Sequence, residues 1–182
     1  MPDPIPANCK RDYYPALKQS GNRSRVNIWW VVLHSAEGDT ARGVGAWFQN
    51  PDAQGSTHLA VDDKECQRFL PNSAVCWGAK GANFHGFHIE QCGYAKWSTV
   101  IWRSHLATLK RAAYKTAFHC VKFGIPPVFI KAADLKAGRK GVTTHVECSK
   151  AFGGTHWDPG KGWPRWGFMW LVRHYHGKIQ NV

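Results

Sequence analysis

The sequence predicts a single α/β domain in which a mixed central β-sheet is flanked by helices. Three patterns support this fold class: an apolar, β-branched run typical of a buried strand, short strand patterns after it, and a later amphipathic helix. A chain of 182 residues with 43% hydrophobic content can bury one sizeable core and is short for two domains. We therefore expect one globular domain over residues 26–182, preceded by an arm over residues 1–25 that is rich in proline.

The first half of the domain alternates strand and helix signals. Residues 28–33 form a continuous apolar run, as expected of a strand buried on both faces, and His34 follows at its end. Thr40 can cap a short helix that ends at residue 48, before Asn50-Pro51. Three short strands are then predicted, at residues 57–61, 66–70 and 87–92, and the polar residues 62–65 join the first two as a hairpin.

The second half predicts two helices separated by an unassigned segment. Between residues 98 and 123 apolar side chains recur at three- and four-residue spacing, which is typical of a helix packed on a sheet: Trp102, Leu106, Leu109, Ala113, Ala117 and Cys120. A basic, glycine-rich loop and the segment 142–162 follow without an assigned element. Pro164 suits the first turn of a last helix that runs to about His174. Five tryptophans lie on predicted elements, and we expect them in the core or at its rim: Trp29, Trp30, Trp102, Trp166 and Trp170.

The charge balance favours a polyanionic partner. The chain carries 24 Lys and Arg against 12 Asp and Glu, a formal net charge of +12, which attracts either nucleic acid or an anionic cell-wall polymer. The basic residues are spread along the chain without a helix-turn-helix or RNP signature, so nucleic acid is not the expected partner. No signal peptide and no apolar run of about 20 residues is visible, so we expect synthesis in the cytoplasm and no membrane insertion. The sequence leaves the oligomeric state open, and a monomer is the default expectation.

The six cysteines contain no Cys-x-x-Cys pair, which argues against a ribbon-type zinc site and a thioredoxin-type redox motif. We expect reduced and mostly buried thiols. A bridge between Cys66 and Cys76 remains an alternative.

Two histidines and one aspartate are candidate metal ligands. They are His34, His145 within Thr-Thr-His-Val-Glu-Cys, and Asp158 within Thr-His-Trp-Asp-Pro-Gly. Two neutral imidazoles and one carboxylate give Zn²⁺ three protein ligands and leave the fourth position open, as in catalytic zinc sites. Each residue alone has a simpler interpretation, as a polar strand end or a turn residue.

Five separated motifs strengthen this interpretation by their order. They are Val-Val-Leu-His-Ser at 31–35, Gly-Ser-Thr-His-Leu-Ala-Val-Asp at 55–62, the pair 79–83 and 87–93, Thr-His at 144–145, and His-Trp-Asp-Pro-Gly at 156–160. From about residue 26 to 166 the chain resembles the type 2 N-acetylmuramoyl-L-alanine amidases, which include phage endolysins and peptidoglycan recognition proteins. The resemblance implies the α/β fold of this family and one zinc ion held by His34, His145 and Asp158. It also implies cleavage of the bond between N-acetylmuramic acid and L-alanine of peptidoglycan. A peptidoglycan-binding module without catalysis is the alternative.

The resemblance also assigns residues around the metal. His156, two positions before Asp158, corresponds to an oxyanion-stabilising residue, with an exposed turn histidine as the alternative. Glu90 corresponds to a glutamate that handles the protons of the attacking water. His88 stands where the family usually has a small residue. Because it shares a strand face with Glu90, it is expected either in the cleft against the substrate or exposed to solvent.

The remaining correspondences concern the groove. Trp77 and Asn83 match a loop that contacts glycan and peptide in relatives, although Trp77 could also be a core residue. Thr57 replaces a catalytic tyrosine of some phage members, and His58 is expected to serve packing. The missing signal peptide and the lack of a second wall-binding domain fit a phage endolysin, or its catalytic domain, that reaches the wall through a separate membrane lesion.

Overall fold

The computed structural model describes residues 15–181, and its regular elements alternate in the predicted way. The strands are β1 (Gln19–Asn22), β2 (Trp30–Ser35), β3 (Leu59–Val61), β4 (Cys66–Arg68), β5 (Ala74–Cys76), β6 (Gly86–Gln91) and β7 (Gly141–Thr144). The helices are α1 (Ala41–Phe48), α2 (Thr99–Ser104), α3 (Leu106–Phe123), α4 (Ala132–Lys136), α5 (His145–Phe152) and α6 (Arg165–Gln180).

Five strands form one mixed sheet in the order β4-β3-β6-β2-β7, which confirms the predicted fold class. Its neighbours are parallel except for β3 and β4, which pair antiparallel as the expected hairpin. Strands β1 and β5 form a separate two-stranded sheet. Because β2 lies between β6 and β7, the residues at its end have a neighbouring strand on both sides.

The two faces of the sheet carry different side chains. On one face Val31 and Leu33 of β2 join Phe87 and Ile89 of β6 in an apolar core that also includes buried residues of α3 and α6. On the opposite face Val32 lies beside His88 in register, and His34 lies beside Glu90. This division follows from the two-residue period of a strand, and it places the polar residues together on one side.

Several element boundaries differ from the prediction. The helix expected over residues 98–123 is two helices that meet at His105, whose backbone (φ −94°, ψ 44°) leaves the helical region. Leu106 is consequently exposed, while Trp102 and Leu109 are buried as expected. The unassigned segment contains β7 and α5, and α6 continues past His174 to Gln180.

The outer side of α6 corrects the expectation for two tryptophans. Trp166 is 78% exposed and Trp170 is 60% exposed, so they do not belong to the core. The helix instead buries Phe168, Met169 and Val172, and the tryptophans fall on the opposite side of its wheel.

The start of the described chain is more regular than an arm. Within the predicted arm, residues 19–22 form β1, and Arg23 is buried with its guanidinium donating to the carbonyl of Gly86 (2.8 Å). Residues 1–14 lie outside the described residues. No helix among residues 15–181 is long and apolar enough to span a bilayer.

The cysteines depart in part from the expected reduced state. Cys66 is disulfide-bonded, whereas Cys76, Cys92, Cys120 and Cys148 are buried free thiols. The alternative bridge between Cys66 and Cys76 is therefore wrong.

Candidate metal centre and cleft

The three predicted metal ligands meet at the carboxyl end of the parallel strands. His34 is the fifth residue of β2, and His145 begins α5 directly after β7, the strand beside β2. Asp158 lies in the loop before α6, where its carbonyl accepts a hydrogen bond from the backbone N–H of Val146 (3.0 Å). Ligand sites commonly form at this edge because neighbouring parallel strands end there together.

The donor atoms of these residues converge. His34 Nδ1 lies 3.1 Å from His145 Nδ1, and the Asp158 carboxylate oxygens lie 3.4 Å from His34 Nδ1 and 3.0 Å from His145 Nδ1. All three side chains are buried.

The donor set fits a zinc ion. Zinc–nitrogen and zinc–oxygen bonds of about 2.0–2.2 Å place neighbouring ligands of a tetrahedron about 3.3–3.5 Å apart, close to the separations observed. Asp158 Oδ2 is buried and has no hydrogen-bond partner among the described residues. A cation between these atoms would satisfy that oxygen and the two imidazole lone pairs that face each other.

The surroundings of His34 and Asp158 favour the forms of these two side chains that bind a metal. Burial lowers the pKa of His34, and the nearby Asp158 carboxylate only partly offsets this effect. For Asp158, burial acts to raise the pKa, but the imidazoles of His145 and His34 outweigh it and the pKa is lowered. Neutral imidazole and ionised carboxylate are the forms that bind a metal.

A cleft opens beside the three candidate ligands. Glu90 of β6 lines this cleft, level with His34 of β2. Its pKa is raised well above the usual value, first by burial and then by the negative charges of Asp158 and Glu37. Its Oε2 has no hydrogen-bond partner among residues 15–181. The carboxyl group is thus placed to exchange a proton with a molecule in the cleft.

His156 is close to the cluster but open to solvent. Its ring stacks on His145 at a centroid distance of 4.1 Å and an interplanar angle of 15°. Its Nδ1 lies 3.8 Å from Asp158 Oδ1, and 66% of the side chain is exposed. It therefore lines the cleft with a nitrogen available to a ligand.

His88 corrects an expectation, because its side chain is neither in the cleft nor exposed. It is fully buried and lies behind His34, with its Nδ1 3.0 Å from His34 Nε2. Burial, followed by the neighbouring His34 and His58, lowers its pKa well below the usual value. In this position the side chain of His88 presents no surface to the solvent or to a ligand in the cleft.

The cleft beside His34, His145 and Asp158 has a volume of about 710 Å³. Trp77 lines it and is 40% exposed, so the alternative that Trp77 is a core residue is wrong. Asn83 also lines it, but its side-chain oxygen accepts hydrogen bonds from the backbone N–H groups of Gly78 (2.9 Å) and Ala79 (2.7 Å). Asn83 thus shapes the loop that carries Trp77.

The residues of the adjacent strand segment behave as expected. Thr57 lines the cleft but is nearly inaccessible, and it carries no phenol. His58 is fully buried and accepts a hydrogen bond at Nδ1 from the backbone N–H of His88 (3.1 Å). The expected packing role of His58 is consistent with this burial.

Trp47 and Glu37 are among the residues of the cleft wall that sequence reasoning missed. Trp47 is 52% exposed and lines the cleft; a signal existed, since α1 buries Ala41, Val44 and Phe48 and leaves Trp47 off that face. Glu37 lines the same wall and accepts hydrogen bonds from Ser35 Oγ (2.9 Å) and the backbone N–H of Ala95 (2.7 Å). No sequence pattern distinguished Glu37.

Comparisons with solved structures agree with this fold. The chain resembles the Staphylococcus aureus hydrolase AmiA (TM-score 0.69, 20% identity, 96% of this chain and 86% of that chain). It also resembles the N-acetylmuramoyl-L-alanine amidase LysC of Clostridium intestinale (TM-score 0.62, 14% identity, covering 91% of this chain and 96% of that chain). A third similar structure is a mutant endolysin from Bacillus subtilis (TM-score 0.59, 21% identity, covering 91% of this chain and 98% of that chain).

Sequence comparison connects the chain to the same group. It is 28% identical over 96 residues to N-acetylmuramoyl-L-alanine amidase A of Achromobacter lyticus, a match that covers 50% of this chain and about half (54%) of that protein. Residues 24–161, which contain all the candidate ligands, match the family described as N-acetylmuramoyl-L-alanine amidase. The chain therefore belongs to the N-acetylmuramoyl-L-alanine amidase family.

Proposed function

We propose that this chain is a zinc-dependent amidase that hydrolyses the bond between N-acetylmuramic acid and L-alanine of peptidoglycan. The observation that carries the proposal is the convergence of His34, His145 and Asp158 at the base of an open cleft. Three protein ligands beside an accessible cleft are typical of a catalytic zinc site, whereas structural sites are closed by four.

When bound, zinc would polarise the amide carbonyl and make water nucleophilic near neutral pH. Glu90 would take a proton from the attacking water and return it to the amide nitrogen as the C–N bond breaks. Its raised pKa suits a carboxyl group that both accepts and donates a proton. The products are the lactyl carboxylic acid of the sugar and the free amine of L-alanine.

His156 would stabilise the negative charge that develops on the carbonyl oxygen, by donating a hydrogen bond from its exposed ring. One preorganised donor of this kind contributes about 10²–10³-fold in rate. Trp77 and Trp47 both expose aromatic surface in the cleft, which suits contact with the apolar face of a sugar or with the stem peptide.

The wider assignment is a phage endolysin or its catalytic domain. Likeness to a Bacillus subtilis endolysin in fold and the net charge of +12, which favours adsorption to an anionic wall polymer, support it. We propose that the protein is made in the host cytoplasm, reaches the wall after membrane lysis and acts as a monomer.

The test measures metal and product together. Zinc content by mass spectrometry and release of new L-alanine amino termini from purified peptidoglycan are measured for the wild type, Asp158→Ala and Asp134→Ala. Asp134 is the control, because it lies on α4, its carboxylate pairs with Arg139, and it is not part of the cluster of His34, His145 and Asp158. We expect one zinc per wild-type chain, activity in wild type and control, and loss of both in Asp158→Ala.

Other outcomes distinguish the alternatives. A wild type that binds peptidoglycan but contains no zinc and releases no amine would support a recognition module without catalysis. Zinc and activity retained in Asp158→Ala would remove Asp158 from the proposed ligand set.

A further inference from the structure

The imidazole of His34 uses both of its nitrogens. Nδ1 faces His145 and Asp158, and Nε2 lies 3.0 Å from Nδ1 of His88. We infer that His88 is a positioning residue that fixes the ring orientation and tautomer of His34 for metal binding at Nδ1. The inference rests on the proposed zinc site and concerns a residue that does not touch substrate.

Counting hydrogens assigns the direction of this contact. A neutral imidazole has one N–H donor and one lone pair. If His34 gives the lone pair of Nδ1 to a metal, its Nε2 must carry the hydrogen. The hydrogen bond therefore runs from His34 Nε2–H to the lone pair of His88 Nδ1, which must be unprotonated.

The structure holds His88 firmly in place for this role. Its backbone N–H donates to His58 Nδ1, and its carbonyl accepts from the backbone N–H of His58 (both 3.1 Å). Two glycines leave room for its ring: a Cβ added to Gly78 would lie 2.3 Å from His88 Nδ1, and a Cβ added to Gly86 would lie 2.4 Å from Nε2. Neither glycine could be replaced without moving the imidazole.

Stability alone does not account for a histidine at this position. His88 is fully buried, yet its Nε2 has no hydrogen-bond partner among the described residues. A buried polar atom without a partner is unfavourable and calls for an explanation. The contact with His34 supplies that explanation, because a hydrogen-bond partner of a metal-ligating histidine orients the imidazole and strengthens its binding to the metal.

The test separates the hydrogen bond from the volume of the side chain. His88→Leu and His88→Ala remove the acceptor, whereas His88→Asn keeps one, since Asn Oδ1 is attached at the same branch point as His Nδ1. His119→Leu is the control: His119 is equally buried but packs on Phe87, on the other face of the sheet. Zinc dissociation constants are measured by chelator competition, and the visible absorption spectrum of cobalt-loaded protein reports ligand geometry.

We expect His88→Leu and His88→Ala to weaken zinc binding about 10–100-fold, the usual effect of removing such a partner. The cobalt spectrum should change in both. His88→Asn should restore binding to within several-fold of the wild type, and His119→Leu should leave zinc affinity unchanged.

Unchanged zinc affinity and cobalt spectra in both acceptor-free variants would overturn the inference while leaving the zinc amidase intact. A wild type without zinc would overturn the proposed function and the inference together. If neither acceptor-free variant folds, ¹⁵N NMR of the zinc-loaded wild type decides: a scalar coupling across the hydrogen bond between His34 Nε2 and His88 Nδ1 supports the inference, and a hydrogen found on His88 Nδ1 excludes it.

Discussion

Replacing Gly78 by alanine tests how tightly the loop closes over His88. The added methyl group would lie 2.3 Å from His88 Nδ1, 2.8 Å from Cγ and 3.0 Å from Cε1, and these ring atoms are the nearest it meets. Overpacking of a buried site costs about 1–3 kcal/mol. Alanine has less backbone entropy than glycine in the unfolded state, and this difference offsets about 0.4–1 kcal/mol of the overpacking cost.

The same substitution should behave differently once the ring is gone. In a His88→Ala background the methyl group meets no imidazole, so Gly78→Ala should be neutral or stabilising by up to about 1 kcal/mol. A double-mutant cycle therefore predicts a coupling free energy of about 1–3 kcal/mol between the two positions. Urea unfolding of the four proteins measures it. Zinc affinity should also fall in the Gly78→Ala single variant, because the methyl group displaces the acceptor of His88 from His34.

Gly177→Ala provides the control for this cycle. It lies in α6, where an added Cβ meets nothing within 4 Å, so alanine should stabilise the helix by up to about 1 kcal/mol in both backgrounds. If Gly78→Ala changed the free energy of unfolding equally in the wild type and in the His88→Ala background, the arrangement in which His88 fills the space beside Gly78 would be refuted.

Three further predictions concern catalysis and pH. Glu90→Gln should lower kcat about 10²–10⁴-fold, because the amide cannot accept a proton, while zinc content by mass spectrometry stays at one per chain; loss of zinc would instead make Glu90 a ligand. His156→Ala should lower kcat about 10²–10³-fold with little change in KM on a soluble muropeptide, and a selective rise in KM would point to ground-state binding. Burial lowers the pKa of His119 to about 3. As the pH falls below about 6.5, the imidazole of His119 is therefore protonated in the unfolded chain but not yet in the folded protein. The free energy of unfolding consequently falls by about 1.4 kcal/mol per pH unit between pH 6.5 and 3. His119→Gln should therefore reduce the loss of unfolding free energy between pH 6.5 and 4.5 by about 2–3 kcal/mol in urea titrations, and an unchanged loss would contradict the burial argument.

The cluster of His34, His145 and Asp158 was predictable because each of these residues lies in a local pattern. His34 ends an apolar run whose strand period is visible in the sequence, and His145 and Asp158 occur in short motifs in a recognisable order. The strand β7 was missed because Gly141 and its two threonines form no apolar run, although β7 is what brings His145 next to His34. Motif order therefore located the ligands without the element that joins them.

The position of His88 shows what the strand period leaves undetermined. The alternation of side chains correctly put His88 on the face of Glu90, but it does not say how far each lies from the edge of the sheet. Two residues along a strand correspond to about 6.6 Å, enough to move His88 from the cleft to beneath the loop that carries Trp77. That loop has no periodic pattern of its own, so its path could not be predicted.

The fold explains why this cleft can be largely formed before any metal binds. Glu90, His34 and His145 come from three adjacent strands or their immediate continuation, so their spacing follows from strand separations of about 4.8 Å. Asp158 is tied to the same frame through the hydrogen bond from Val146 N–H to its carbonyl. The apolar core on the other face of the sheet fixes the register, and a slip of β2 by one residue would turn His34 to the wrong face. The register of β2 between its two neighbours is thus the condition that brings His34 beside Glu90 and His145.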